Sequence, residues 1–451
     1  MKLALPAVAL TALVLACGAA PAAALDPPQV VVGPTPADGP PGPEIPMKQD
    51  KGCVAAGVLR DSDLSQVPPP EQALNLRSAR ALSRGSGVTV AVVDTGVSPS
   101  PRLRNLTGGG DYVVAGGNGL SDCDAHGTLI AGIIGGAADS GDGFTGVAPD
   151  ARLISIRYHS GAFQTDMPGT SDQNVRDALD IRTLARAITH AANLGAGVIS
   201  VSLPICLAAD ARVDQSVLSA AVAYAVHIRG SLIVAGAGNT GSSGCEQNPA
   251  IDPGRPVDSR NWRDVKTISA PGWFAPDVLT VGFTTANGVP MDDSLTGPWV
   301  SVAAPGTGIE SLGPGGGGLI NGVGEPGKLV PVGGASFAAA YVSGVAALLR
   351  SRFPNETPGE IASRLTASAH APARGIDNSV GAGVIDPLAA LSYRTPPKPP
   401  TGLFRWSALT MPAPARPRDY RPAVTASIVV LVAVLLGVGA SYANSVVGRR
   451  R

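Results

Sequence analysis

Apolar positions follow two periods along the middle of the chain. Val88-Thr89-Val90-Ala91-Val92-Val93 is an apolar run that ends at Asp94, as a buried strand would. Residues 152–157, 197–203 and 232–235 read the same way. Between them the period lengthens to that of a helix. Residues 126–135 carry Leu129, Ile130, Ile133 and Ile134, and residues 177–194 set Ile181, Leu184, Ile188 and Ala191 on one face. A third helix is expected at 213–228. Another opens at Ser336 and runs through Ala339, Val342, Val345, Ala346 and Leu349. Thr357-Pro358-Gly359-Glu360 is a capping box with Pro at the first helical position, starting a helix through Ala369. Alternation of this kind predicts an α/β fold with a mostly parallel sheet flanked by helices. The polar stretch 160–176 and the Gly-rich stretch 313–324 read as long loops, either binding surfaces or disordered.

The ends of the chain follow other patterns. Lys2, an apolar run over 3–15 and Ala22-Ala23-Ala24 form a secretion signal at 1–24. Leu15-Ala16-Cys17 loosely suggests lipoprotein processing instead, but ordinary cleavage is favoured because a second anchor lies at the other end. That anchor is an expected transmembrane helix at 423–443, centred on Ile428 to Leu436, with no charge between Arg421 and Arg449. It follows a Pro-rich linker at 396–422 and precedes a basic cytoplasmic tail at 444–451. A Pro-rich N-terminal extension fills 25–87, with a short helical pattern through Leu74, Leu76 and Leu82. It reads as too short and too Pro-rich to fold as a domain of its own. The main domain is then 88–395, held outside the cell membrane by a single span.

Charge is balanced at 34 against 34, so nothing points to a nucleic-acid partner. With Cys17 removed, Cys53, Cys123, Cys206 and Cys245 remain, an even number suited to an oxidising compartment. Four cysteines allow three pairings, and the spacing does not choose among them. No Cys-x-x-Cys spacing and no calcium or zinc ligand set are visible, so no metal and no cofactor are expected.

Candidate chemistry lies where the elements begin and end. Asp94 ends a strand, while His126 and Ser336 open helices. A serine hydroxyl is a poor nucleophile until a histidine takes its proton. A buried carboxylate fixes that histidine's tautomer. Asn239, after the strand at 232–235, could offer an amide N–H to a developing oxyanion beside the N–H of Ser336. His159, His190, His227 and His370 have no such setting and read as structural or surface residues. Any one motif alone is an ordinary strand–turn or helix start. Together, in the order Asp, His, Ser, they match the subtilisin arrangement.

Asp94-Thr95-Gly96, His126-Gly127-Thr128, Asn239 and Gly334-Ala335-Ser336-Phe337-Ala338-Ala339, followed by Val342-Ser343-Gly344, resemble the subtilisin-like serine proteases. The whole plan, from signal and Pro-rich extension to C-terminal helix and basic tail, resembles the mycosins, the membrane-anchored subtilases of type VII secretion systems. That resemblance implies a subtilisin-like fold, an Asp94–His126–Ser336 triad with Asn239 as oxyanion donor, and bridges Cys53–Cys123 and Cys206–Cys245. It implies that Ser202, Leu203 and Pro204 form one wall of a substrate groove, and that Gly236, Ala237 and Gly238 floor its main pocket. The partners implied are protein or peptide substrates, namely secreted type VII effectors, together with the membrane-embedded type VII secretion complex and membrane lipid around the C-terminal helix. Three positions depart from the subtilase pattern: Pro204 replaces a glycine, Ala335 a threonine and Ala340 a proline. Pro204 has no N–H to offer a bound peptide. A rival expectation is a structural subunit of the secretion machine whose catalytic residues matter little.

Overall fold

The computed structural model describes residues 25, 27–165, 172–241, 244–316, 318–373, 375–393 and 421–448. The signal at 1–24, the linker as far as residue 420, and residues 449–451 of the tail lie outside the described residues. Two compact units are distinguished, and the sheet and its helices belong to the first.

Seven strands form the main sheet: β1 Thr89–Asp94, β2 Leu106–Asp111, β3 Arg152–Arg157, β4 Val198–Val201, β5 Leu232–Gly236, β6 Val278–Thr284 and β7 Val300–Pro305. Their spatial order is β7-β6-β5-β4-β1-β3-β2, and every pairing is parallel. Parallel strands are covered on both faces, so they carry continuous apolar runs instead of alternation. β1 is buried at all of its positions, and so are β4, β5 and β6.

The helices are α1 His126–Gly135, α2 Gln173–Asn193, α3 Ser216–Ala223, α4 Ala335–Arg352 and α5 Pro358–Ser368. α1 and α4 pack on each other and on the sheet, while α2 and α3 form a second packed pair. α4 is buried at every residue from Ala335 to Leu349. Each fully buried Val or Leu there contributes roughly 1.5–3 kcal/mol. Thr357 and Glu360 form the expected capping box of α5, with each side chain bonded to the other's backbone N–H. α2 begins at Gln173, earlier than the apolar pattern indicates, because the Asp172 side chain caps it by accepting the Asn174 N–H.

Strand order reverses beside β1: β3 and β2 lie to one side, and β4 to β7 to the other. At such a switch point the carboxyl ends of neighbouring strands leave a crevice. Asp94 ends β1, Ser202 follows β4 and Gly236 ends β5. Three successive strands thus deliver their ends to one place.

The N-terminal extension is not a separate body. Met47–Gln49 pairs antiparallel with Phe163–Thr165, and Ala55–Gly57 with Gly322–Glu325. Both stretches read as loops, 160–176 and 313–324, therefore contain strands. Phe163–Thr165 is paired by the extension, whereas Leu319–Ile320 pairs with nearby Ser311–Leu312, and Gly322–Glu325 with nearby Lys328–Pro331 as well as with the extension. Helices Pro69–Ala73 and Leu76–Leu82 replace the single pattern through Leu74 to Leu82, broken at Asn75 with φ 48°. In the second unit, α6 Arg421–Gly448 is longer than the expected span and runs into the segment assigned to the tail. Its window Val424–Ser441 has mean hydropathy 2.4, long and apolar enough to cross a membrane.

Candidate active site

His126 joins the other two polar groups. Its Nδ1 lies 2.7 Å from Asp94 Oδ1, and its Nε2 lies 2.9 Å from Ser336 Oγ. The carboxylate fixes the tautomer: Nδ1–H donates to Asp94, which leaves Nε2 to accept from the serine hydroxyl. Asp94 is wholly buried and also accepts the Thr95 N–H at 2.8 Å. Desolvation pulls the His126 pKa down. The Asp94 charge and hydrogen bond, with Asp122 and Asp124 behind them, outweigh it and hold the pKa above the ordinary value. The Phe337 ring stands tilted 5.4 Å from the imidazole.

Close approach of β1 and α1 depends on one missing side chain. A Cβ at Gly127 would stand 2.0 Å from the Gly96 carbonyl oxygen, so the residue after His126 must be glycine. Gly334 plays a similar part before α4, with φ +138° and no room for a Cβ, which would meet the Asn239 amide at 2.9 Å. Asn239 Oδ1 accepts the Ala335 N–H at 2.9 Å, which sets the direction of its amide. Ser336 lies in the first turn of α4, where backbone N–H groups have no intrahelical acceptor.

The residues expected to line a substrate groove lie at the neighbouring strand ends. Ser202 is buried, and its Oγ lies 3.3 Å from Ser200 Oγ, which in turn accepts from Ser343 of α4 at 3.0 Å. The Leu203 carbonyl accepts from the Tyr158 hydroxyl. Burial holds that hydroxyl far above the usual tyrosine range and hence neutral. Pro204 leads directly into Ile205–Ala208, which pairs with Thr267–Ala270. Ala237 donates its N–H to Val281, and the Gly238 carbonyl accepts from Leu295. A Cβ on Gly236 would meet the Ser202 carbonyl at 3.1 Å, so the two expected groove segments touch.

Cys53 is bonded to Cys123, and Cys206 to Cys245. The first bridge ties the extension to the loop just before His126, and Cys123 also accepts the Val54 N–H at 2.9 Å. The second lies beside Gly238, where a Cβ would be 3.4 Å from Cys206 Sγ.

The other histidines take no part in this constellation. His190 pairs with Asp38 at 2.9 Å, His227 with Asp277 at 2.7 Å and His370 with Asp386 at 3.6 Å, while His159 is exposed beside Tyr158. Among the described residues, no group of three or more His, Cys, Asp and Glu is placed to hold a metal ion. Sequence reasoning missed Asp122 and Tyr158. Thr95 and Thr128 flag the neighbourhood of Asp122, but nothing in the sequence flags Tyr158.

A parallel sheet whose switch point brings together Asp, His and Ser in that chain order is the arrangement of subtilisin-type serine peptidases. The chain belongs to the subtilase family, whose sequence model matches residues 85–383. Within that family its similarity to the mycosins runs nearly end to end. It is 47% identical to Mycosin-1 of Mycolicibacterium smegmatis over 443 residues, 96% of this chain and 97% of that protein. The crystal structure of MycP1 from Mycobacterium smegmatis superposes with a TM-score of 0.80 at 48% identity, covering 85% of this chain and 99% of that one. A chain in the structure of an intact ESX-5 inner membrane complex gives 0.80 at 45% identity, covering 93% of this chain and 100% of that one.

Proposed function

We propose that this protein is a membrane-tethered serine endopeptidase of a type VII secretion system, with Asp94, His126 and Ser336 as its catalytic triad. The observation that carries this reading is the imidazole of His126 bridging a buried carboxylate at 2.7 Å and a serine hydroxyl at 2.9 Å. Ser336 Oγ attacks the scissile carbonyl as its proton passes to His126 Nε2. Asp94 steadies the imidazolium. The negative oxygen of the tetrahedral intermediate is met by the Asn239 side chain and the Ser336 N–H. His126 then gives its proton to the leaving amine, and water repeats the sequence on the acyl-enzyme.

The substrate lies as an extended strand between the Ser202-Leu203-Pro204 wall and the Gly236-Ala237-Gly238 floor. Pro204 withholds one backbone donor, so peptide binding is selective rather than digestive. Cleavage of the signal at 1–24 exports the chain, α6 spans the membrane, and the protease domain faces the extracytoplasmic side. Its substrates are proteins emerging from the secretion complex. The similarity to a chain of the ESX-5 inner membrane complex supports a second, structural role in that assembly.

The test is mass spectrometry of secreted proteins from cells carrying native protein, Ser336→Ala, or a deletion. A cut present only with Ser336 is the expected result, and cleavage by pure Ser336→Ala protein would refute the triad. Secretion that survives Ser336→Ala but not deletion identifies the structural role.

A further inference from the structure

We propose that Asp122 is the positioning residue that holds Asp94 and His126 in register. This rests on the reading of Asp94, His126 and Ser336 as the catalytic relay. Asp122 is 8% exposed. Its carboxylate bonds reach the segments that carry two of those groups. Oδ1 accepts the Thr95 hydroxyl at 2.9 Å and the Asp124 N–H at 3.0 Å. Oδ2 accepts both the N–H and the hydroxyl of Thr128, at 2.8 and 2.6 Å.

The two threonine hydroxyls each have one proton, and both are committed to Asp122. Each oxygen is then turned to accept a backbone N–H: Thr95 from Gly127 at 2.9 Å, and Thr128 from Ser98 at 3.0 Å. Thr95 also donates its N–H to Asp94. Hydrogen bonds run from Asp94 through Thr95 and Asp122 to Thr128, the first turn of α1 carries the chain back to His126, and the His126–Asp94 bond completes the circuit. An asparagine at 122 would offer one acceptor atom and turn the other into a donor, facing donors that need acceptors.

The carboxylate also acts through charge. Burial, with a smaller contribution from Asp94, pushes Asp122 up to about 6 against the hydrogen bonds from Thr128 and Thr95. The charged groups that raise His126 are Asp94 from β1, and Asp122 and Asp124 from the loop before α1. From α4 the Ser336 hydroxyl and the Phe337 ring face it, and neither brings charge. Removing Asp122 should therefore slow the relay and also lower the pKa of its base.

A fluorescent fluorophosphonate reads the relay without any peptide substrate. Ser336 Oγ forms a bond to phosphorus, fluoride leaves, and the hydroxyl proton passes to His126. Labelling rates of the detergent-solubilised full chain are measured from about pH 5 to about pH 9 for native protein, Ser336→Ala, Asp122→Asn, Thr95→Ser and Thr95→Val. Asp122→Asn should label about 10- to 100-fold more slowly, with its acid limb displaced to lower pH. Thr95→Ser keeps the hydroxyl and should stay near the native rate, whereas Thr95→Val should fall with Asp122→Asn. A native rate and limb in folded Asp122→Asn overturns the proposal. If that variant does not fold, equal rates for Thr95→Ser and Thr95→Val overturn it. Native protein that shows no Ser336-dependent labelling defeats the relay reading itself, a distinct failure.

Discussion

The carboxyl edge of the main sheet and the N-terminal extension are held by opposite means, yet both reach His126. β1, β4, β5 and α4 bury nearly every side chain, and their own apolar residues fix their places. In the extension, no described residue from 27 to 67 is buried. It is fastened at points: Arg186 to the Pro40 and Gly42 carbonyls and Glu44, Asn321 to Leu59 and Ser62, two short strand pairings and one disulfide. The last of these bonds Cys123, between Asp122 and Asp124. A core makes elements. A strap with no core of its own can still position a loop.

Breaking the bridge is the strongest challenge to that comparison. Cys53 and Cys123 are 70 residues apart, and closing such a loop is worth about 4 kcal/mol in the chain-entropy account. Cys53→Ser with Cys123→Ser should lower the guanidinium midpoint accordingly and open the extension to proteolysis. An extension that merely hangs on the domain would leave the midpoint where it was.

Leu129→Ala sharpens the other side. Leu129 is 1% exposed in α1, and its truncation should cost about 3 kcal/mol through lost transfer energy and a residual cavity. The two losses should differ in kind. The core variant lowers the whole transition and leaves the extension protected while the protein is folded. The bridge variant frees the extension within the folded protein, a contrast that limited proteolysis below the melting temperature resolves.

Arg186→Ala should have a smaller effect, about 1 kcal/mol, because the guanidinium and Glu44 are 30% and 22% exposed and water screens the pair. Proteolysis should then begin near residue 40 while the catalytic rate is unchanged. Loss of rate would mean that the strap is stiff along its whole length.

The same contrast decides what the sequence could reveal. The runs at 88–93, 152–157 and 232–235 and the helix starts at His126 and Ser336 are legible because local apolar pattern and tertiary burial agree. β2 is not, because Leu106–Asp111 carries three glycines and little apolar side chain. One of them, Gly109, is needed because a Cβ there would meet Ile154 of β3 at 2.3 Å. β6 and β7 carry apolar runs of the same kind as β1, VLTVGFT and VSVAAP. Gly322–Glu325 reads as loop because its two glycines mask a hairpin with Lys328–Pro331, and its other edge is paired by Ala55–Gly57, far away in the chain. At the site, Asp94, His126 and Ser336 stand in recognisable motifs. Asp122 is visible only once its four donors are placed around it.

The smallest expected effect concerns Asp124, whose carboxylate ties the strap's neighbourhood to the relay. It accepts the Ser160 hydroxyl at 2.5 Å and the Gly161 N–H at 2.8 Å, beside the strand that pairs with Met47–Gln49. In the proposed triad His126 must be neutral to take the Ser336 proton, so the rate should climb as pH rises through its pKa. Desolvation alone would lower that pKa, and Asp94, then Asp122, then Asp124 raise it above the ordinary value. Asp124→Asn should therefore move the acid limb of the rate profile to lower pH, by less than Asp122→Asn does. Stability follows the same sign. A raised histidine pKa contributes stability that is fully present below the unfolded imidazole value and is lost as pH rises through the folded value. Asp124→Asn should thus narrow the gap between thermal midpoints taken below and above that window. A limb that moves upward, or a gap that widens, would show that Asp124 acts on His126 through the position of the loop and not through its charge.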